Sequence, residues 1–224
     1  MKKYIIADRD SLAALVRSHI EQAGAAGDRL IRIGVPGGRS ADPIVQGVLA
    51  VKAPVRERVR LYLVDERLQG DRNEQTLLDA GLRQAFAAGR MQVGQLIVPS
   101  AGRPLIEEPG AALDLLYLGV GEDGHVASLF PGSYPGLDGR TVGEVAIVSD
   151  APKPPSLRCT VTYRGFRTVA RHAQVHLLFL GEGKRIALER LMAAKEPVST
   201  LPCAFFPYEW FPVDIITDLK ERRL

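Results

Sequence analysis

The densest chemical signal in the chain is a glycine turn, Leu118-Gly119-Val120-Gly121-Glu122-Asp123-Gly124-His125-Val126-Ala127-Ser128-Leu129-Phe130-Pro131-Gly132. It sets an imidazole and a carboxylate two residues apart. Imidazole has an ordinary pKa of about 6.5 and is the side chain best suited to take a proton near neutrality. A nearby carboxylate such as Asp123 would favour the tautomer and orientation that leave the other ring nitrogen of His125 free. By residue type alone a structural turn histidine is the commoner case. The remaining histidines read in that plainer way: His19 on a helix, His172 and His176 around a helix-to-strand junction. No second histidine lies near His125 in sequence, so no metal site is expected. Ser128 lacks the G-x-S-x-G elbow of a nucleophilic serine and reads as a helix or cap hydroxyl. Gly119, Gly121 and Gly124 also satisfy G-x-G-x-x-G, a dinucleotide-binding pattern. That pattern needs a full crossover helix after Gly124, and Pro131, Gly132, Pro135 and Gly136 stop any helix within about two turns.

Three further segments place polar groups after apolar runs. Pro36-Gly37-Gly38-Arg39-Ser40 lies between a strand pattern and a helix pattern. Its glycines let backbone N–H groups approach an anion at the positive end of a helix, and Arg39 and Ser40 add donors. A tight strand-to-helix turn explains the same residues, and a Walker loop is excluded by spacing. Val64-Asp65-Glu66-Arg67 sets two carboxylates and a guanidinium at a strand end, where burial in the core is not expected. Arg67 suits bidentate phosphate binding, and Asp65 would orient either Arg67 or the catalytic base; a solvated turn is the plain alternative. Gly181-Glu182-Gly183-Lys184 starts a helix with a lysine, unfavourable for the helix dipole and therefore a natural partner for an anion, or simply a solvated first-turn side chain. Arg158 similarly enters an otherwise apolar strand.

These segments need a scaffold that brings strand ends together. Short Val/Ile/Leu-rich runs at Leu30 to Val35, Val59 to Val64, Leu113 to Gly119, Val145 to Ser149 and Val175 to Leu180 read as strands covered on both faces. Between them, Asp10 to Ala23 carries a helical apolar stripe. Pro43 sits near the start of a second helix. Asn73 is the expected N-cap of a third helix, running to about Ala88, and Gly183 to Ala194 forms a fourth. Residues 100–112 and 131–143 are rich in Gly and Pro and read as loops. Alternating strands and helices argue for one α/β domain over 1–224, with a parallel sheet whose ligands gather at the carboxyl ends of its strands.

Composition narrows the function class. A net charge of +3 with interspersed signs leaves no footprint for nucleic acid or an anionic membrane. No run approaches the ~18 apolar residues of a membrane span, and the N-terminal stretch does not read as a signal peptide. Cys159 and Cys203 are too few for a disulfide framework and read as buried, inert thiols. The expected compartment is the cytoplasm.

The 119–132 stretch resembles the signature of 6-phosphogluconolactonases. Gly37-Gly38, Asp65-Glu66-Arg67, Arg158-x-Thr160 and Gly181-x-x-Lys184 occur in that family's order, so the resemblance covers residues from about 30 to 218. The family is similar in fold to glucosamine-6-phosphate deaminases, whose matching segment usually runs Gly-His-Ile-Ala-Phe-Asn-Glu. Ser128-Leu129-Phe130 replaces that ending here and favours the lactonase. The resemblance implies a Rossmann-like, mostly parallel sheet flanked by helices on both faces. It implies hydrolysis of 6-phospho-D-glucono-1,5-lactone to 6-phosphogluconate in the oxidative pentose phosphate pathway, with no metal and no cofactor. It carries the base role to His125 and phosphate contacts to the Gly38–Ser40 loop, Arg67 and Lys184. The candidate catalytic residues are therefore His125, Asp123 and Asp65. Gly37, Gly38, Arg39, Ser40, Arg67, Arg158 and Lys184 form the candidate substrate-binding set. The expected partner is a small phosphorylated sugar lactone, without nucleic acid or membrane; monomer and dimer both stay open. The rival readings are a sugar-phosphate deaminase or isomerase, a non-catalytic sugar-phosphate sensor, and a dinucleotide-dependent oxidoreductase.

Overall fold

A computed structural model describes residues 1–133, 135 and 143–220. Its strands are β1 (Lys2–Ile5), β2 (Ile31–Val35), β3 (Val59–Leu63), β4 (Asp65–Arg67), β5 (Leu96–Ile97), β6 (Leu115–Gly119), β7 (Val145–Val148), β8 (Arg158–Val161), β9 (Gln174–Phe179) and β10 (Val213–Thr217). The helices are α1 (Arg9–Gly24), α2 (Ala41–Leu49), α3 (Ala53–Arg56), α4 (Asn73–Leu77), α5 (Arg83–Ala87), α6 (Tyr163–Val169), α7 (Arg185–Ala193) and α8 (Phe205–Tyr208).

Seven strands form a parallel sheet in the order β1-β10-β9-β6-β2-β3-β5. Strands β4, β8 and β7 form a separate antiparallel sheet in that order. The large sheet is mostly apolar on both faces because successive side chains alternate between two cores. On β6, Leu115 and Tyr117 join α1 and α2 through Leu12, Val16, Ile20 and Val45. Leu116 and Leu118 face the other way and join α6, α7 and α8 through Phe166, Leu188 and Phe205. Helix α1 starts where Asp8 accepts hydrogen bonds from the Ser11 amide and hydroxyl, at 2.8 and 2.7 Å.

Three expectations are corrected. Val145–Val148 is a strand, but of the small antiparallel sheet; its apolar pattern says nothing about which partner it takes. The expected Asn73–Ala88 helix is broken, because Gly81 takes φ 127° inside a wider turn between α4 and α5. Asn73 is not the cap of α4. The buried Glu66 carboxylate does that work, accepting from the amides of Asn73 at 2.7 Å and Glu74 at 2.9 Å. Most of the loop expected at 131–143 lies outside the described residues. Chain order turns back across the sheet between β2 and β6, and neighbouring strands at such a switch point leave a crevice at their carboxyl ends.

Candidate active site

The loop after β2 and the turn after β6 meet in that crevice. Gly37, Arg39, Ser40, Gly121, His125 and Lys184 line a cavity of about 160 Å³, with Leu178 and Leu180 of the β9 end at its wall. Three of the four segments singled out by sequence therefore share one space. Gly38 and Gly124 take φ of +70° and +89°, which lets each loop reverse tightly.

The turn holds the imidazole firmly. His125 Nδ1 donates to Asp123 Oδ1 at 2.5 Å, and the His125 amide donates to the same oxygen at 3.3 Å. The Gly121 amide donates to the His125 carbonyl at 2.8 Å, closing the turn. Gly121 has no room for a side chain: a Cβ there would overlap His125 Nδ1 and lie 2.5 Å from Asp123 Oδ1. One ring face packs against Phe130, centroid to centroid 4.7 Å. Burial pushes the Asp123 carboxyl up, but hydrogen bonds and charge from His125, with Lys153 adding its charge, outweigh it and hold Asp123 well below the usual carboxylate range. An ionised Asp123 accepting from Nδ1–H fixes the tautomer, so that Nε2 is the ring atom through which His125 would accept a proton.

The cations are less simply arranged. Lys184 lines the cavity, and burial followed by repulsion from Arg39 and Lys153 lowers its pKa, opposed by attraction to Glu122 and Asp123. Lys153 stands 3.7 Å from Asp123 Oδ2 and was not singled out by sequence; its segment, Ala151-Pro-Lys-Pro-Pro, reads only as a loop. Arg67 and Arg158 do not reach the cavity wall. They pair in register across β4 and β8. Arg67 donates to the Asp71 carbonyl at 3.2 Å. Arg158 donates to the carbonyls of Pro155 and Lys153, both at 3.0 Å, and lies 5.4 Å over the Phe130 ring.

The Asp65-Glu66 pair departs from the expected exposed turn: both are buried, at 5% and 0% exposure. Asp65 makes no hydrogen bond to His125. Its Oδ2 accepts from the Ser128 hydroxyl at 2.7 Å and its Oδ1 from the Asn73 amide group at 3.2 Å. Burial raises the Asp65 pKa, while the Ser128 hydrogen bond and the charges of Arg158 and His125 lower it. Ser128 is thus not a helix cap; its hydroxyl is fully buried and held by Asp65. Cys159 and Cys203 are buried free thiols, and burial pushes them up to about 11 and about 12.

Comparison with known proteins agrees with the resemblance. A family model described as glucosamine-6-phosphate isomerases/6-phosphogluconolactonase matches residues 7–210. The chain is similar to 6-phosphogluconolactonase 3, chloroplastic, of Arabidopsis thaliana, 45% identical over 91 residues, 41% of this chain and 26% of that protein. It is similar to a putative 6-phosphogluconolactonase of Caenorhabditis elegans, 30% identical over 173 residues, 69% of this chain and 62% of that protein. The chain thus spans about a quarter of the length of the first of these relatives. Among solved structures, a 6-phosphogluconolactonase from Thermotoga maritima superposes with a TM-score of 0.73 at 22% identity, covering 96% of this chain and 98% of that one. A monomeric glucosamine-6-phosphate deaminase superposes with a TM-score of 0.69 at 13% identity, covering 97% of each chain. At such identities these two structures speak to fold alone.

Proposed function

The chain belongs to the family of glucosamine-6-phosphate isomerases and 6-phosphogluconolactonases, and from that premise we propose that residues 1–224 act as one unit hydrolysing 6-phospho-D-glucono-1,5-lactone to 6-phosphogluconate. The observation that carries this reading is the Asp123–His125 pair, held at 2.5 Å beside a cavity that Arg39, Ser40 and Lys184 share.

The substrate phosphoryl group, with a charge of about −1.5 to −2, would sit among the Gly37–Ser40 amides, Arg39, Ser40 and Lys184. Charge-assisted hydrogen bonds of that kind hold the lactone with its carbonyl carbon near His125. Neutral His125 takes a proton at Nε2 from a water whose oxygen bonds to C1. The carbonyl electrons move onto the carbonyl oxygen, giving a tetrahedral intermediate. As they return, the C1–O5 bond breaks and O5 takes the proton back from the imidazolium. The carboxylic acid formed then loses its proton to solvent. Asp123 compensates the positive ring between the two transfers and is not itself protonated, as an orienting carboxylate acts in a catalytic triad. Arg158, over the Phe130 ring, and its register partner Arg67 enter this reading as an outer cationic layer, and Asp65 as an anchor. A cytoplasmic location goes with it; support comes from the two free buried thiols, which suit a reducing compartment. No described helix is long and apolar enough to cross a membrane.

The deciding assay is proton release at constant pH on freshly prepared 6-phosphogluconolactone, corrected for spontaneous hydrolysis, beside ammonia release from glucosamine 6-phosphate. Catalysed proton release without ammonia supports the lactonase. Ammonia release assigns the deaminase instead, and phosphosugar binding without turnover assigns a sensor.

A further inference from the structure

The loop proposed to grip phosphate and the turn bearing His125 come from different strands, yet one buried polar chain joins them. Asn73 packs directly on the phosphate-loop backbone: a Cβ at Gly37 would lie 2.7 Å from Asn73 Cβ and overlap the amide beyond it. The Asn73 side-chain N–H donates to the Asp65 carbonyl at 3.0 Å and to Asp65 Oδ1 at 3.2 Å. Asp65 Oδ2 accepts from Ser128, three residues beyond His125. The Ser128 amide in turn donates to Thr160 Oγ1 at 3.2 Å, and Thr160 faces Asp65 across the β4–β8 ladder. Asn73, Asp65, Ser128 and Thr160 are all at or below 5% exposure. A buried carboxylate is tolerable only where donors converge on it, so the position of Asp65 constrains both donors at once.

Resting on the lactonase reading, we propose that Asn73 and Ser128 are positioning residues which, through Asp65, set the spacing between the phosphate loop and the His125 ring. Phosphate held at one end and a base held at the other do nothing unless the lactone carbon falls between them. A displacement of about 1 Å in such an arrangement costs up to ~10²-fold in turnover. Loss of spacing lowers kcat while phosphate binding survives.

The test is steady-state hydrolysis of 6-phosphogluconolactone by Asn73→Ala, Ser128→Ala and the double variant. Each single variant is expected to lower kcat by about 10- to 100-fold with KM within about threefold of wild type. The double variant should be no slower than the slower single variant by more than about threefold, because either change cuts the same bridge. Multiplying losses, or a raised KM at constant kcat, overturns the proposal. Should Ser128→Ala fail to fold, Asn73→Ala alone must still show the loss in kcat at near-constant KM, and an unchanged kcat overturns it. If the wild type turns over no lactone, the function falls separately, and the bridge is read with inorganic phosphate. The His125 ring nitrogen resonances should then shift at saturating phosphate in wild type and less in Asn73→Ala. Equal shifts in both proteins, or none in wild type, overturn the bridge.

Discussion

Replacing His176 by phenylalanine should flatten the acid side of the stability curve. His176 sits on β9 at 1% exposure, and among the described residues neither ring nitrogen has a hydrogen-bond partner. Its ring stacks on His19 at 4.3 Å and on Tyr117 at 4.8 Å. Tyr117 is its register partner on β6 and Asp214 its partner on β10. The Asp214 carboxylate accepts from the Lys2 amide and the Gln174 side chain. Burial, reinforced by His19, drives the His176 pKa from 6.5 down to about 3. The folded protein therefore keeps this ring neutral while the unfolded chain takes up a proton below pH ~6.5. With more protons on the unfolded side, stability must fall as pH falls through that window. From about pH 7.5 to about pH 5 the loss assigned to this ring is ~2 kcal/mol, or ~4–8 °C in Tm for a chain of this size. In His176→Phe that part of the slope vanishes, and near pH 7.5 the variant should be no less stable, since two unpaired buried nitrogens are gone. His19, also lowered by burial, and Asp65, whose raised pKa acts with the opposite sign, remain in both proteins and largely cancel in the difference. Urea unfolding at the two pH values reads the effect. Parallel losses in wild type and variant would refute the idea of a dry, neutral imidazole stack.

At the proposed active site, His125→Ala should lower kcat by about 10²–10⁴-fold with little change in KM; near-wild-type turnover would remove it as the base. Lys184→Ala should raise KM by ~10- to 100-fold, the size of one charge-assisted hydrogen bond, with a smaller effect on kcat. An unchanged KM would place phosphate elsewhere. Gly121→Ala drives a methyl group into the Asp123–His125 contact, so kcat should fall by at least about tenfold while the chain stays folded. Wild-type turnover there would mean that this contact does not matter.

The strands that carry the site are legible because burial on both faces demands unbroken apolar runs. Ile31–Val35, Leu115–Gly119 and Gln174–Phe179 are recognisable for that reason, and with them the crevice at their ends. The same logic fails where little is buried. Strand β1 is mostly exposed at the sheet edge, and β5 pairs through only two residues, so neither carries a periodic signal. Val145–Val148 shows its conformation but not its sheet, because partner choice depends on contacts far along the chain. His125 with Asp123 is legible as a pair since two residues of turn suffice to join them.

The support behind that pair follows the opposite rule. Asp65, Glu66, Asn73 and Ser128 are each, by type, residues of a solvated turn or a helix end, and local propensity treats them so. What overrides propensity is convergence: Glu66 collects the amides of Arg67, Asn73 and Glu74, and Asp65 collects Asn73 and, from 63 residues away, Ser128. Each donor alone would leave a buried carboxylate short of partners at a cost of about 1–3 kcal/mol or more. Glu66 is therefore buried on donors of its own segment, and Asp65 on one nearby donor and one brought from a distant segment. Asp65 thus ties the Gly37 loop, through Asn73, to the His125 turn, through Ser128, and that alignment is what its burial records.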